Sequence, residues 1–131
     1  MNISQAAKYC GLSSKTIRFY EQQGVIPPAQ RSANGYRTYN EAQLDRLCFI
    51  KRARDLGFSL EDSGSLLQLS MTPNRTSAQV KGKAEKHLQQ IKDQIVQLQS
   101  MQAVLEAVVV QCAGDEGAAC PILDKLNGCD L

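Results

Sequence analysis

One histidine, His87, serves the whole chain of 131 residues. No Ser-His-Asp constellation is recognisable around it. Neither paired carboxylates nor a glycine-rich phosphate loop takes its place, so an enzyme is not expected. Doubled C-x2-C pairs are missing too, and with them the zinc ribbon. No apolar run approaches the roughly 20 residues that span a bilayer, and no charged-then-apolar leader precedes a cleavage site. The expectation is a soluble, cytoplasmic protein with no membrane partner. Five cysteines make an odd number for a disulfide framework, so the thiols should stay reduced.

What is present is unevenly distributed. The net charge of +2 conceals a basic front half: residues 1–58 hold nine Lys/Arg against four Asp/Glu, and residues 59–131 hold six against nine. A net +5 followed by a net −3 points to a polyanionic partner for the first half.

That half reads as two short helices joined by a tight turn. Ser4 is placed to cap a helix with Ala6, Ala7 and Cys10 on its inner side, and Gly11 to end it in the left-handed conformation. Ser13 or Ser14 caps a second helix running to about Gln23 and stopped by Gly24. Ile17 and Tyr20 supply its packing, and Lys15, Thr16 and Arg18 face outward near its start. This is helix-turn-helix spacing, in which the opening turns of the second helix enter the major groove of double-stranded DNA. Taken alone, the segment fits a solvated helix face as well.

After Pro27 and Pro28, the run RSANGYRTY from Arg31 to Tyr39 alternates around Asn34-Gly35, a strong hairpin turn signal. With Arg31, Tyr36 and Arg37 on it, the hairpin would be a basic wing laying guanidinium groups on phosphates or into a minor groove. Asn40 with Gln43 caps a third helix carrying Leu44, Leu47, Cys48 and the stretch Lys51 to Arg54, up to Gly57. Ser59 with Asp62 caps a fourth carrying Leu60, Leu66, Leu67 and Leu69. Cys10 and Cys48 fall on apolar positions and read as small core residues.

From Thr76 the pattern changes. Thr76 and Gln79 form a capping box, and Ala84, Leu88, Ile91, Ile95, Leu98, Leu105 and Val109 then recur at steps of three and four, with Gln102 the one polar member. Such a helix is on the order of 50 Å long at about 1.5 Å per residue. A domain of this size cannot cover that stripe, which predicts a homodimer. Gly82 inside it costs about 1 kcal/mol against alanine, with no visible return. His87 lies between seam positions and reads as a surface imidazole.

The register runs on to Cys112, the first thiol of CAGDEGAACPIL. The C-x7-C spacing offers two sulfur ligands, and the apolar surroundings of Met101, Val104, Val108 and Val110 predict a dry pocket. Thiolate favours soft ions such as Cu(I), and the loop has few means of completing a zinc shell. On spacing alone, metal capture, a disulfide and two idle cysteines all remain open.

Taken together, SSKTIRFYE, RSANGYRTY, RARDLGFSLE, the long helix and CAGDEGAACPIL resemble the MerR family of metal-responsive transcription regulators along nearly the whole chain. The resemblance implies a mainly α fold with a winged helix-turn-helix DNA-binding domain (1–69), a linker (70–75), a long antiparallel coiled-coil dimerisation helix (76–111), a metal-binding loop (112–120), and a short C-terminal helix and tail (121–131). It also implies a dimer on an operator inside a promoter with an overlong spacer, where ion binding distorts the DNA so that RNA polymerase reads both promoter elements.

Carried onto this sequence, Cys112 and Cys120 would bind one Cu(I), or Ag(I) or Au(I), in near-linear fashion. Lys15, Thr16, Arg18, Tyr20, Arg31, Asn34, Gly35, Tyr36, Arg37 and Arg54 would hold DNA. Ser77 would approach the loop from the partner chain, at a place where family members that take divalent ions carry cysteine, and the tail's Cys129 would add little. Two thiolates and a monovalent ion leave net −1, which the N-terminus of the helix starting at Pro121 and the charge of Lys81 would offset. The alternatives are a thiol redox-switch regulator using a Cys112–Cys120 disulfide and, further off, a metallochaperone.

Overall fold

The computed structural model describes residues 1–128; Cys129, with the remainder of the expected tail, lies outside them. Two compact units divide the chain, Met1–Ala84 and a second beginning at Glu85.

The first unit opens with α1 (Ile3–Cys10) and α2 (Ser14–Gln22). Asn2, not Ser4, caps α1: its side chain accepts from the Gln5 amide while the Gln5 side chain accepts from the Asn2 amide. The helix therefore starts two residues earlier than a cap at Ser4 would allow, because the reciprocal box satisfies two N–H groups where a lone hydroxyl satisfies one. Gly11 ends α1 at φ 72°, in the left-handed region. Ser13 caps α2, accepting from the Thr16 amide.

The wing is two short strands, β1 (Gln30–Arg31) and β2 (Arg37–Thr38), antiparallel with Arg31 opposite Arg37. Its turn is not the two-residue Asn34-Gly35 turn expected from the sequence. Gly35 N–H donates to Ser32 O, Ser32 N–H donates to Tyr36 O, and only Gly35 has positive φ, at 79°. The loop is thus three residues, Ala33, Asn34 and Gly35, with glycine alone in the left-handed position, and Asn34 is spared the positive φ that a type I′ turn would impose.

Helices α3 (Glu41–Asp55) and α4 (Leu60–Ser70) complete the core. Asn40 and Gln43 form the expected capping box, and Ser59 accepts from the Asp62 amide. Ala6, Ala7 and Cys10 of α1, Ile17 and Tyr20 of α2, and Leu44, Leu47 and Ile50 of α3 join Ile26, Tyr39 and Leu67 in one cluster. Ile17, Leu47 and Ile50 are fully buried, each contributing about 1.5–3 kcal/mol by leaving water.

Thr76 and Gln79 make the predicted box at the start of α5 (Ser77–Gln111). At 35 residues it is about 50 Å long. Within the second unit the helix leaves Leu88, Ile95, Leu98, Leu105 and Val109 about half or more exposed, and Val108 is its one buried residue. The loop from 113 to 119 is open to solvent, so one chain by itself forms no dry pocket around it. Helix α6 (Pro121–Leu126) follows, with proline in its first turn.

Candidate DNA interface and thiol loop

The basic side chains converge. Arg18 from α2 and Arg31, Gly35, Tyr36 and Arg37 from the wing line one concavity together with Asn2 and Ile3. Two cationic elements far apart in the chain thus share one surface, the arrangement needed to hold neighbouring phosphates. Tyr36 is 73% exposed there. Lys15 is exposed on α2, whereas Thr16 is half-buried and its hydroxyl bonds that of Ser13 at 2.7 Å. Asn34 and Arg54 are exposed outside the concavity, and Arg54 also donates to Phe58 O at 2.8 Å, closing the end of α3.

Tyr20 corrects the sequence reading. At 7% exposure it sits in the core cluster, which leaves little of it to reach DNA. Its ring fixes α2 against the domain, as the periodicity of Ile17 and Tyr20 indicated.

The wing is held by a cluster that no sequence motif marked. Glu21, its side chain 6% exposed, accepts a 2.6 Å hydrogen bond from Tyr39 Oη and lies 3.6 Å from an Arg37 guanidinium nitrogen. Burial and the Glu21 carboxylate both push the Tyr39 phenol well above its ordinary range. Arg31 donates to Gly35 O at 2.8 Å, bracing the turn it flanks. The wing arginines therefore have structural partners as well as a surface to present. The signal available in the sequence was the alternation Arg37, Tyr39, which puts both on one side of the strand.

The second unit holds the thiol loop. Cys112 is the first residue past α5, its N–H donating to Val109 O, and Cys120 is the N-cap residue of α6. Both are free thiols and half-buried. Gly114 takes positive φ, 67°, and Asp115 accepts from Gly117 N–H at 2.8 Å. A Cβ on Gly117 would come within 2.9 Å of that carboxylate oxygen, so a larger residue there would displace the Asp115 side chain. Among the described residues no group of three His, Cys, Asp or Glu could hold a metal ion. A two-sulfur donor set fits a soft ion of low coordination number and falls short of the three or four ligands zinc takes. Ser77 and Lys81, at the start of α5, are exposed and belong to the first unit.

Residues 1–69 match the family described as MerR HTH family regulatory protein, and residues 44–108 match the one described as MerR, DNA binding. The chain belongs to the MerR family. It is 47% identical over 129 residues to the HTH-type transcriptional regulator CueR of Escherichia coli O157:H7, covering 98% of this chain and 96% of that one. To CueR of Vibrio cholerae serotype O1 (strain ATCC 39541 / Classical Ogawa 395 / O395) it is 44% identical over 128 residues, covering 98% and 92%. Among solved structures it resembles the transcription regulator PbrR691 from Ralstonia metallidurans CH34 in complex with lead(II), with a TM-score of 0.81 and 29% identity over 96% of this chain and 98% of that one. As a MerR protein close to CueR, the chain is a metal-responsive, DNA-binding transcription regulator and not an enzyme.

Proposed function

We propose that the chain is a cytoplasmic Cu(I)-responsive regulator that sits as a homodimer on a promoter operator and activates genes for copper efflux or detoxification. One observation carries the choice of ion: two half-buried free thiols close a seven-residue loop, and among the described residues no third His, Cys, Asp or Glu joins them in a group that could hold a metal ion. Such a pair suits a monovalent soft ion, Cu(I) and also Ag(I) or Au(I), and disfavours Zn(II) by ligand count. The 44–47% identity to CueR regulators supports the same choice. The ion, when bound, supplies a cross-link between the end of α5 and the start of α6.

The rest follows from the chain's own residues. The half-exposed stripe Leu88, Ile95, Leu98, Leu105, Val109 is covered by an antiparallel second copy, since dimer burial removes that apolar area from water. The partner's α5 brings Ser77 and Lys81 to the loop, where the lysine offsets the negative charge of two thiolates. Arg18 and the wing arginines anchor the dimer on duplex DNA. Loop closure then biases the dimer toward a form that distorts the promoter so that RNA polymerase engages both of its elements.

The test is an anaerobic Cu(I) titration against strong competitor chelators, with operator binding and promoter activity measured in parallel. Cys112→Ser and Cys120→Ser should each abolish copper-dependent activation while leaving operator affinity within about twofold, because a two-ligand site has no redundancy. Full activation by either variant would place the site elsewhere. A Cys112–Cys120 disulfide that activates without copper would replace the metal reading with a redox one.

A further inference from the structure

The DNA-binding unit holds a second thiol pair, far in sequence from the loop. Cys10 Sγ, at the last residue of α1, lies 3.0 Å from Cys48 Sγ on α3, and both are free thiols. Cys10 is 7% exposed and donates to Leu44 O at 3.7 Å, while Cys48 is half-buried. We propose that Cys10 and Cys48 form a modification site at which hydrogen peroxide converts the two thiols into an intramolecular disulfide stapling α1 to α3.

The geometry selects this chemistry over a second metal site. A disulfide needs its sulfurs at about 2.05 Å, so the pair must close by about 1 Å, a movement within reach of side-chain rotation. Two thiolates on opposite sides of one ion, each at about 2.3 Å, stand roughly 4.6 Å apart. That demands opening by more than 1 Å at a helix contact whose neighbours Ala6 and Ala7 are 0% and 6% exposed, where a close-packed core resists expansion.

The order of events follows from burial. Cys48, the more accessible thiol, reacts first: as thiolate it attacks one peroxide oxygen, the O–O bond breaks, hydroxide leaves and takes up the proton shed by Cys48, and Cys48 becomes a sulfenic acid. Cys10 then ionises and attacks the Cys48 sulfur, the S–O bond breaks, and the departing hydroxide takes up the Cys10 proton. Two thiols lose two electrons and two protons, and the peroxide becomes two waters. In the reduced pair, burial, the hydrogen bond and charge of Cys48, and Asp45 push the Cys10 thiol up to about 12 against the opposing charge of Arg52, so little Cys10 thiolate is present near neutrality to meet the oxidant first. Because Cys10 directly precedes Gly11 and the turn into α2, the cross-link acts on the element that presents Lys15 and Arg18.

The experiment uses the full chain with Cys112, Cys120 and Cys129 each changed to serine, leaving this pair as the only thiols. Hydrogen peroxide followed by denaturation, alkylation and proteolysis should yield a Cys10–Cys48 cross-linked peptide. The intact mass should be lower by two hydrogens, and dithiothreitol should restore both. Adding Cys48→Ser should remove the mass change. Recovery of both cysteines alkylated, or of Cys48 as sulfinic acid beside a free Cys10, would overturn the proposal. So would stoichiometric Ag(I) binding by the triple variant with no cross-link after peroxide. If the triple variant does not fold, the same peptide is sought in peroxide-treated wild type, where its absence refutes the site equally.

Discussion

Replacing Tyr39 by phenylalanine removes one oxygen from the wing's attachment and almost nothing else. The ring is 4% exposed, so its packing is kept and no cavity opens. What is lost is the 2.6 Å bond from the phenol to Glu21 Oε1, a hydrogen bond to a carboxylate whose side chain is 6% exposed. Bonds of this kind contribute about 1.5–3 kcal/mol. Little solvent reaches either group to screen or replace it, and the remaining partner, Arg37 at 3.6 Å, is too long for a direct hydrogen bond. The expected loss is about 2 kcal/mol. In urea, at one fixed protein concentration because the stability of the proposed dimer would depend on it, the midpoint should fall by about 1 M at unchanged slope. Operator affinity should fall as well, since the same bond orders the strand that carries Arg37.

The pH dependence supplies an independent sign. Tyr39's phenol is held neutral in the folded state by burial and by Glu21, above its ordinary value of about 10. Above that pH the folded protein therefore retains a proton that the unfolded chain releases. This contribution is complete below about pH 10 and declines as pH rises from there toward the higher folded value. Tyr39→Phe should lack this slope, so the wild-type advantage should shrink in strongly alkaline buffer. A variant within about 0.5 kcal/mol of wild type at neutral pH, well below the expected hydrogen-bond contribution, would refute the view that Glu21 anchors the wing.

Three further outcomes are expected. Arg37→Ala should weaken binding to operator and random duplex together and reduce the salt dependence by roughly one unit of slope for a lost phosphate contact; loss of operator preference at unchanged slope would make it a base reader. Ser77→Cys should raise Zn(II) affinity, measured by chelator competition on stably folded protein, because in the proposed dimer it would offer the partner's loop a third thiolate. An unchanged value would show that the loop alone selects the ion. Gly82→Ala should raise stability by about 1 kcal/mol in thermal melts, since nothing lies within 4 Å of a Cβ built there; a loss would show a second chain's backbone passing close to that position.

The capping boxes at Asn40 and Thr76, the glycine stops and the stripe along α5 were legible in the sequence because each is set by neighbours within a turn or two. The two-sulfur loop was legible too, being contiguous. Local competition obscured some details: Asn2 outbids Ser4 as a cap by forming a reciprocal bond, and a three-residue loop relieves Asn34 of positive φ. Tertiary structure alone decided what depends on distant segments meeting. Glu21 from α2 binds Tyr39 and Arg37 at the wing, and Cys10 meets Cys48 across 38 residues. No periodicity encodes such pairs, because a contact between two helices or a helix and a strand is fixed by how their faces pack, and a buried carboxylate reads in sequence like any solvated one until its partners arrive.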